Sequence, residues 1–228
     1  MGQVLLVRHG QASWGADDYD VLSETGWEQS RLLGKALAAR GIAPALVVRG
    51  AMRRHRETAE AVGEGLGLPE PVVDGGWDEF DHLGMLAALS RSRRARPADS
   101  GREPTREEFQ ARFEEATDRW TGGEHDDYDE SFAEFTDRVD DALRRTSEAA
   151  GSGTALVFTS GGPMSWATTS LVGAELERPG QVRFWRRLNP VCVNSGVTKV
   201  VTGRRGLTLV SFNEHTHLEQ APALLTYR

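Results

Sequence analysis

The sequence has little cysteine, no long apolar run and no excess of positive charge. One cysteine, Cys192, stands among 228 residues. That excludes an intramolecular disulfide and a cysteine-based zinc cluster, and it points to a reducing compartment. No stretch approaches the roughly 18 apolar residues that span a bilayer. The opening MGQVLLVRHG lacks the basic start, long apolar stretch and cleavage site of an export signal. A cytoplasmic protein with no membrane partner is therefore expected. The formal net charge of −7 argues against broad nucleic-acid binding, because that surface attracts basic patches. A local exception is the run 91–106, with six arginines among its sixteen residues. It reads as a solvated loop, or as a basic rim that attracts an anionic substrate.

What is present is an alternation of short apolar runs and amphipathic stretches. QVLLV at the start reads as a strand buried on both faces, ending in Arg8-His9-Gly10. After it, Ser23 is placed to cap a helix on which Trp27, Leu33 and Leu37 share a face, and Gly41 closes it. ALVV at 45–48 is a second strand, followed by a helix from near Arg53, and 71–74 a third. ALVFTSGGPM at 155–164 gives a fourth strand, a glycine loop and Pro163 at the start of a helix. VCVNSGVTKVV and LTLVSF flank TGRRG as a hairpin at the sheet edge. This order predicts an α/β fold with a mostly parallel sheet. From about 83 to 150 the period is helical. Thr105 with Glu108 and Ser131 with Glu134 have capping-box spacing, so these two helices are expected to form an inserted subdomain within a single domain over 1–228.

Four strand-to-helix transitions bring chemistry to one sheet edge: Arg8 and His9, Arg54, Glu79 and Ser160. Carboxyl ends of strands are where ligands bind in open α/β sheets. Two guanidinium groups can hold a phosphate in forked pairs and offset charge as a metaphosphate-like transition state develops. A neutral imidazole can form a phosphoenzyme. Glu79 would have to carry a proton to donate to the leaving oxygen, and a phosphate dianion nearby acts in that direction. No cofactor and no metal is required by this set. His55 and His82 are plausible at the pocket edge or on the surface. Trp77, Phe80 and Trp120 fit either a leaving-group wall or the core.

With these residues in view, the sequence resembles the histidine phosphatase superfamily, also called phosphoglycerate-mutase-like or RHG phosphatases. LLVRHGQASW, LSETGWEQSRLLG, MRRHRETAEAV, WDEFDH and LVFTSGG carry the resemblance, which spans nearly the whole chain. It implies a three-layer α/β/α sandwich with a helical cap at about 83–150. It also implies a nucleophile at His9, phosphate-binding arginines at Arg8 and Arg54, and a general acid at Glu79. Substrate contacts are further expected from Gly10, Gln11, Ser160, Gly161 and Gly162.

Departures are local. Members usually have His-Gly after the fourth strand, where that histidine contacts the phosphate; this chain has Ser160-Gly161. Gln11 replaces a common glutamate, Gly15 stands where many members have asparagine, and Gly50 where serine is frequent. The expected function is a metal-independent phosphomonoesterase acting on a small phosphorylated substrate. A weak or inactive phosphate-binding protein and a mutase-type phosphotransferase are the alternatives. A serine hydrolase is disfavoured because Phe158 stands where the nucleophile elbow needs glycine. A homodimer is left open. With Ser160 as a substitute phosphate donor, Ser160→His is expected to keep turnover similar or raise it.

Overall fold

The computed structural model describes residues 1–13, 20–93 and 105–227. Gly15 and most of the arginine-rich run lie outside them. Among the described residues one sheet runs in the order β3-β2-β4-β1-β5-β6. Its strands are β1 (Gly2–Arg8), β2 (Leu46–Arg49), β3 (Val72–Val73), β4 (Thr154–Thr159), β5 (Val197–Gly203) and β6 (Gly206–Glu214). β1, β2, β3 and β4 are mutually parallel where they pair, whereas β5 and β6 are antiparallel additions on one edge. The helices are α1 (Glu24–Ala39), α2 (Arg53–Leu66), α3 (His82–Arg93), α4 (Arg106–Gly122), α5 (Phe132–Ala150), α6 (Gly161–Val172) and α7 (Arg178–Leu188).

β1 is apolar without alternation because both its faces are covered. Leu5 and Val7 pack with Leu156 and Phe158 of β4 against Leu33 and Leu37 of α1 and Ala59 and Val62 of α2. Val4 and Leu6 are equally buried and point to the opposite layer, where α6 packs on β1. The architecture is the three-layer α/β/α sandwich. Register puts Arg8 beside Thr159 and Arg49 beside Phe158, so three parallel strands deliver their carboxyl ends to one edge.

The chain divides into two compact units. The larger comprises Met1–Glu79 and Arg138–Arg228 and contains the whole sheet. The smaller, Phe80–Asp137, contains α3, α4 and the first turns of α5. In the smaller unit Trp120 stacks near Phe80, Phe132 and Phe135, with ring centroids 5.0–5.5 Å away. Trp77, Phe80 and Trp120 are all buried. Arg91 donates to the Asp127 carbonyl at 2.8 Å, and Arg119 pairs with the Asp127 carboxylate.

Three local expectations change. Pro163 is the third residue of α6, not the first, because the helix starts at Gly161 with Ser160 in the N-cap position. The segment 191–196 is not strand: Ser195 takes φ 59° and its N–H donates to the His9 carbonyl, so β5 begins only at Val197. Helix α3 precedes the two capped helices, making three in the 83–150 stretch.

Candidate phosphoryl-transfer site

The site is built at the edge where β1, β2 and β4 end, and every residue of it lies in the larger unit. His9 directly follows β1. Its backbone N–H donates to the Thr159 carbonyl at 2.8 Å, and its carbonyl accepts from the Ser195 N–H and Asn194 Nδ2, both at 3.2 Å. Gly10 turns the chain against α1. A Cβ there would lie 2.8 Å from Ser30 Oγ and closer still to the Gly26 carbonyl, so only glycine lets the two backbones meet. The Gly10 N–H donates to Thr58 Oγ1, which in turn donates to the Arg54 carbonyl. The Thr-Ala pair of the second motif thus locks the first motif onto α2.

His9 Nδ1 lies 2.7 Å from the Gly10 carbonyl oxygen. A carbonyl can only accept, so Nδ1 carries the proton and Nε2 keeps its lone pair. Burial holds His9 well below the usual imidazole range, and the charges of Arg54, Arg8 and then His55 act in the same direction. The result is a neutral imidazole of fixed tautomer among cations.

Arg8 Nη1 donates to the Cys192 carbonyl and, at 3.0 Å, to that of Tyr227. Arg54 is buried, and its Nη1 donates to Asp20 Oδ1 at 2.8 Å. Asp20 Oδ2 also accepts from the Arg53 N–H. Met52, the N-cap of α2, offers no side-chain cap, so Asp20 supplies the carboxylate that a helix N-terminus favours and orients Arg54 in the same act. A guanidinium carries five N–H donors in one plane, and these bonds orient that plane.

Glu79 Oε2 accepts from the Gly162 N–H at 3.2 Å. That amide was expected to face the phosphate; here it holds the carboxylate instead. Gly161 approaches both Arg8 and Asn189 closely. Gln11 is turned toward α1: its Oε1 accepts from Ser23 Oγ at 2.9 Å, and its N–H donates to Gln29. Its role here is to tie the loop to the α1 cap, since Ser23 also accepts from the Gly26 N–H.

Ser160 departs most from expectation. A serine in the N-cap position ordinarily accepts from its own helix. Ser160 makes no such bond. Its Oγ sits 2.7 Å from His55 Nε2, and both residues are wholly buried. His55 is therefore not a surface residue. Its ring centroid lies 5.8 Å from that of His9, and its Nδ1 lies 3.8 Å from Asp78 Oδ1. Burial, then Arg54 and Arg49, pull His55 well below the usual imidazole range. Burial pushes the Asp78 carboxyl up, against the N–H groups of Ala51 and Met52. Asp20, Asp78 and Asn194 went unnoticed in the sequence. Asp20 and Asn194 sit in loops without motif, and only the adjacency of Asp78 to Glu79 marked it.

Toward the end of the chain His215 Nδ1 bonds the Asn213 carbonyl, and His217 Nε2 lies 2.8 Å from Ser195 Oγ.

Comparison with known proteins places this geometry. The model of the histidine phosphatase superfamily (branch 1) matches residues 4–215. A curated relative, the 2,3-bisphosphoglycerate-dependent phosphoglycerate mutase of Chelativorans sp. (strain BNC1), is 32% identical over 98 residues, 40% of this chain and 47% of the relative. That match spans about half the relative's length. Among solved structures, YhfR of Bacillus stearothermophilus superposes with a TM-score of 0.70 at 20% identity, covering 96% of this chain and 100% of that one. An H9A mutant of phosphoserine phosphatase from Entamoeba histolytica, in complex with phosphoserine, gives 0.66 at 17%, covering 96% and 100%. These structures share the fold, and the family match extends over nearly the whole sequence: the chain belongs to the histidine phosphatase superfamily.

Proposed function

We propose that the protein is a phosphomonoester hydrolase that works through a phosphohistidine on His9. The observation that carries this is the His9 tautomer: Nδ1 is committed to the Gly10 carbonyl, and Nε2 is an unprotonated nitrogen beside two arginines. The Nε2 lone pair attacks phosphorus as the ester P–O bond breaks, and Glu79 gives its proton to the leaving oxygen. Water then attacks the phosphohistidine. Glu79 takes a proton from that water, the P–N bond breaks, and Nε2 recovers its lone pair while Nδ1 keeps its proton throughout. Arg8 and Arg54 hold the equatorial oxygens and offset their charge in both steps. The scheme calls on no metal.

Release of inorganic phosphate across a panel of sugar phosphates, nucleotides and phosphoamino acids tests this, with His9→Ala as the blank. Turnover by wild type alone supports it; equal rates in both contradict it. The mutase relative supports a second reading, in which the phosphoryl group passes to another hydroxyl instead of water. Incubation with 3-phosphoglycerate separates the two, because a phosphatase yields free phosphate and a mutase an isomeric ester.

A further inference from the structure

We infer that His55 supplies the second imidazole of the phosphate site, from α2 instead of from the end of β4, and that Gly50, His55 and Ser160 act as one unit. The inference rests on the hydrolase reading for its substrate, a phosphomonoester. Its geometry is independent of it.

Three observations join these residues. Ser160 Oγ lies 2.7 Å from His55 Nε2, and neither residue has exposed surface. The His55 ring lies 5.8 Å from the His9 ring, at the edge where the strands end. A Cβ on Gly50 would sit 2.5 Å from Asp78 Oδ1 and closer still to His55 Nδ1, so any larger residue at position 50 expels the imidazole from its slot. Two of the places where this chain departs from the family pattern, Ser160 and Gly50, are therefore the two walls of one space, and His55 fills it.

The chemistry follows from the donor inventory. A hydroxyl has one proton to give. When His55 Nε2 is protonated it donates to Ser160 Oγ, and the Ser160 proton is released to a phosphate oxygen; when Nε2 accepts, that proton is spent on His55. His55 is thus a positioning residue that acts through Ser160. The groups facing it are His9 beyond β1, Arg49 and Gly50 at the end of β2, Arg54 on its own helix and Asp78. Burial, and after it Arg54 and Arg49, hold His55 well below the usual imidazole range. A phosphate dianion opposes them and favours a proton on His55, with Asp78 3.8 Å from the other nitrogen.

The test is kcat and KM with p-nitrophenyl phosphate from pH 4.5 to 8.5, beside the affinity for inorganic phosphate, in His55→Ala, His55→Gln, Ser160→Ala and the Ala/Ala double variant. His55→Gln keeps a donor near the Nε2 position and guards against a variant that fails to fold. The expected results are a loss of about tenfold in phosphate affinity for His55→Ala and partial recovery in His55→Gln with a flattened fall toward high pH. The double variant should be no worse than either single one. Unchanged phosphate affinity and pH profile in His55→Ala, or additive losses in the double variant, overturn the inference. So does labelling of Ser160 by a fluorophosphonate, which would make it a nucleophile. If wild type releases no phosphate from any ester yet binds inorganic phosphate in a His55-dependent way, the hydrolase reading fails and this inference stands. If it binds no phosphate at millimolar concentration, both fall.

Discussion

Replacing Ser160 by histidine restores the family residue, and simple reasoning from the motif expects a faster enzyme. A hydrogen bond from a charged donor is worth roughly 1.5–3 kcal/mol against roughly 0.5–1.5 for a neutral one, so an imidazole for a hydroxyl should gain about tenfold. The structure reverses the sign. Ser160 has no exposed surface, and the His55 ring stands 2.7 Å from its Oγ. A second imidazole must overlap the first. Overpacking a filled interior costs about 1–3 kcal/mol. At roughly 2–4 °C per kcal/mol for a domain of this size, Tm should fall by about 2–12 °C. The displaced ring also abandons its place beside His9. Thermal melting and phosphate release should therefore both decline in Ser160→His, and both should recover when His55→Ala vacates the slot. A Ser160→His variant that melts with wild type and turns over faster, with no benefit from the second substitution, would refute this reasoning.

Further outcomes follow from the same contacts. Partial burial, and after it the neighbouring His215, lower His217 to about 4. The unfolded chain takes up that proton near pH 6.5, so stability is complete above that value and drains away as pH falls toward 4. That loss amounts to roughly 3 kcal/mol by linkage once the pH is below both values. His9 and His55 act in the same direction. Urea unfolding at pH 7 and pH 4.5 should show the loss, reduced in His217→Gln; equal midpoints for wild type at both values would contradict it. Asp20→Ala removes an acceptor from the start of α2 and the partner of Arg54. It should cost about 1 kcal/mol of unfolding free energy by urea denaturation and lower kcat/KM; an unchanged variant would show that Asp20 orients nothing. Gly26→Ala places a Cβ 2.8 Å from the Gln11 N–H nitrogen and closer to its carbonyl. A loss of about 1–3 kcal/mol with a loss of turnover is expected, and wild-type melting would contradict the close approach.

Much of this was legible before the fold. Apolar runs without alternation marked β1 and β4, because a parallel sheet covered on both faces leaves no polar side. Ser23 and Thr105 announced helix starts, and both cap as their spacing requires. Other features were hidden for physical reasons. Helix α7 carries four arginines over Arg178–Leu188, which mask the one residue it buries, Trp185. The segment before β5 has strand-like valines, but tertiary bonds to His9 override that propensity. The role of His55 depends on a hydrogen bond across 105 positions and on the lack of a side chain at Gly50, whose place the ring takes. No local pattern encodes either one. The serine at 160 was visible as a departure, but its partner was not.

The central claim is that His9 Nε2 attacks phosphorus, and quenching the enzyme during turnover of a 32P-labelled phosphomonoester tests it most directly. The structure predicts a label on His9 that survives alkali, is lost in acid and is absent from His9→Ala. Phosphate release with no such label, or release undiminished in His9→Ala, would contradict it.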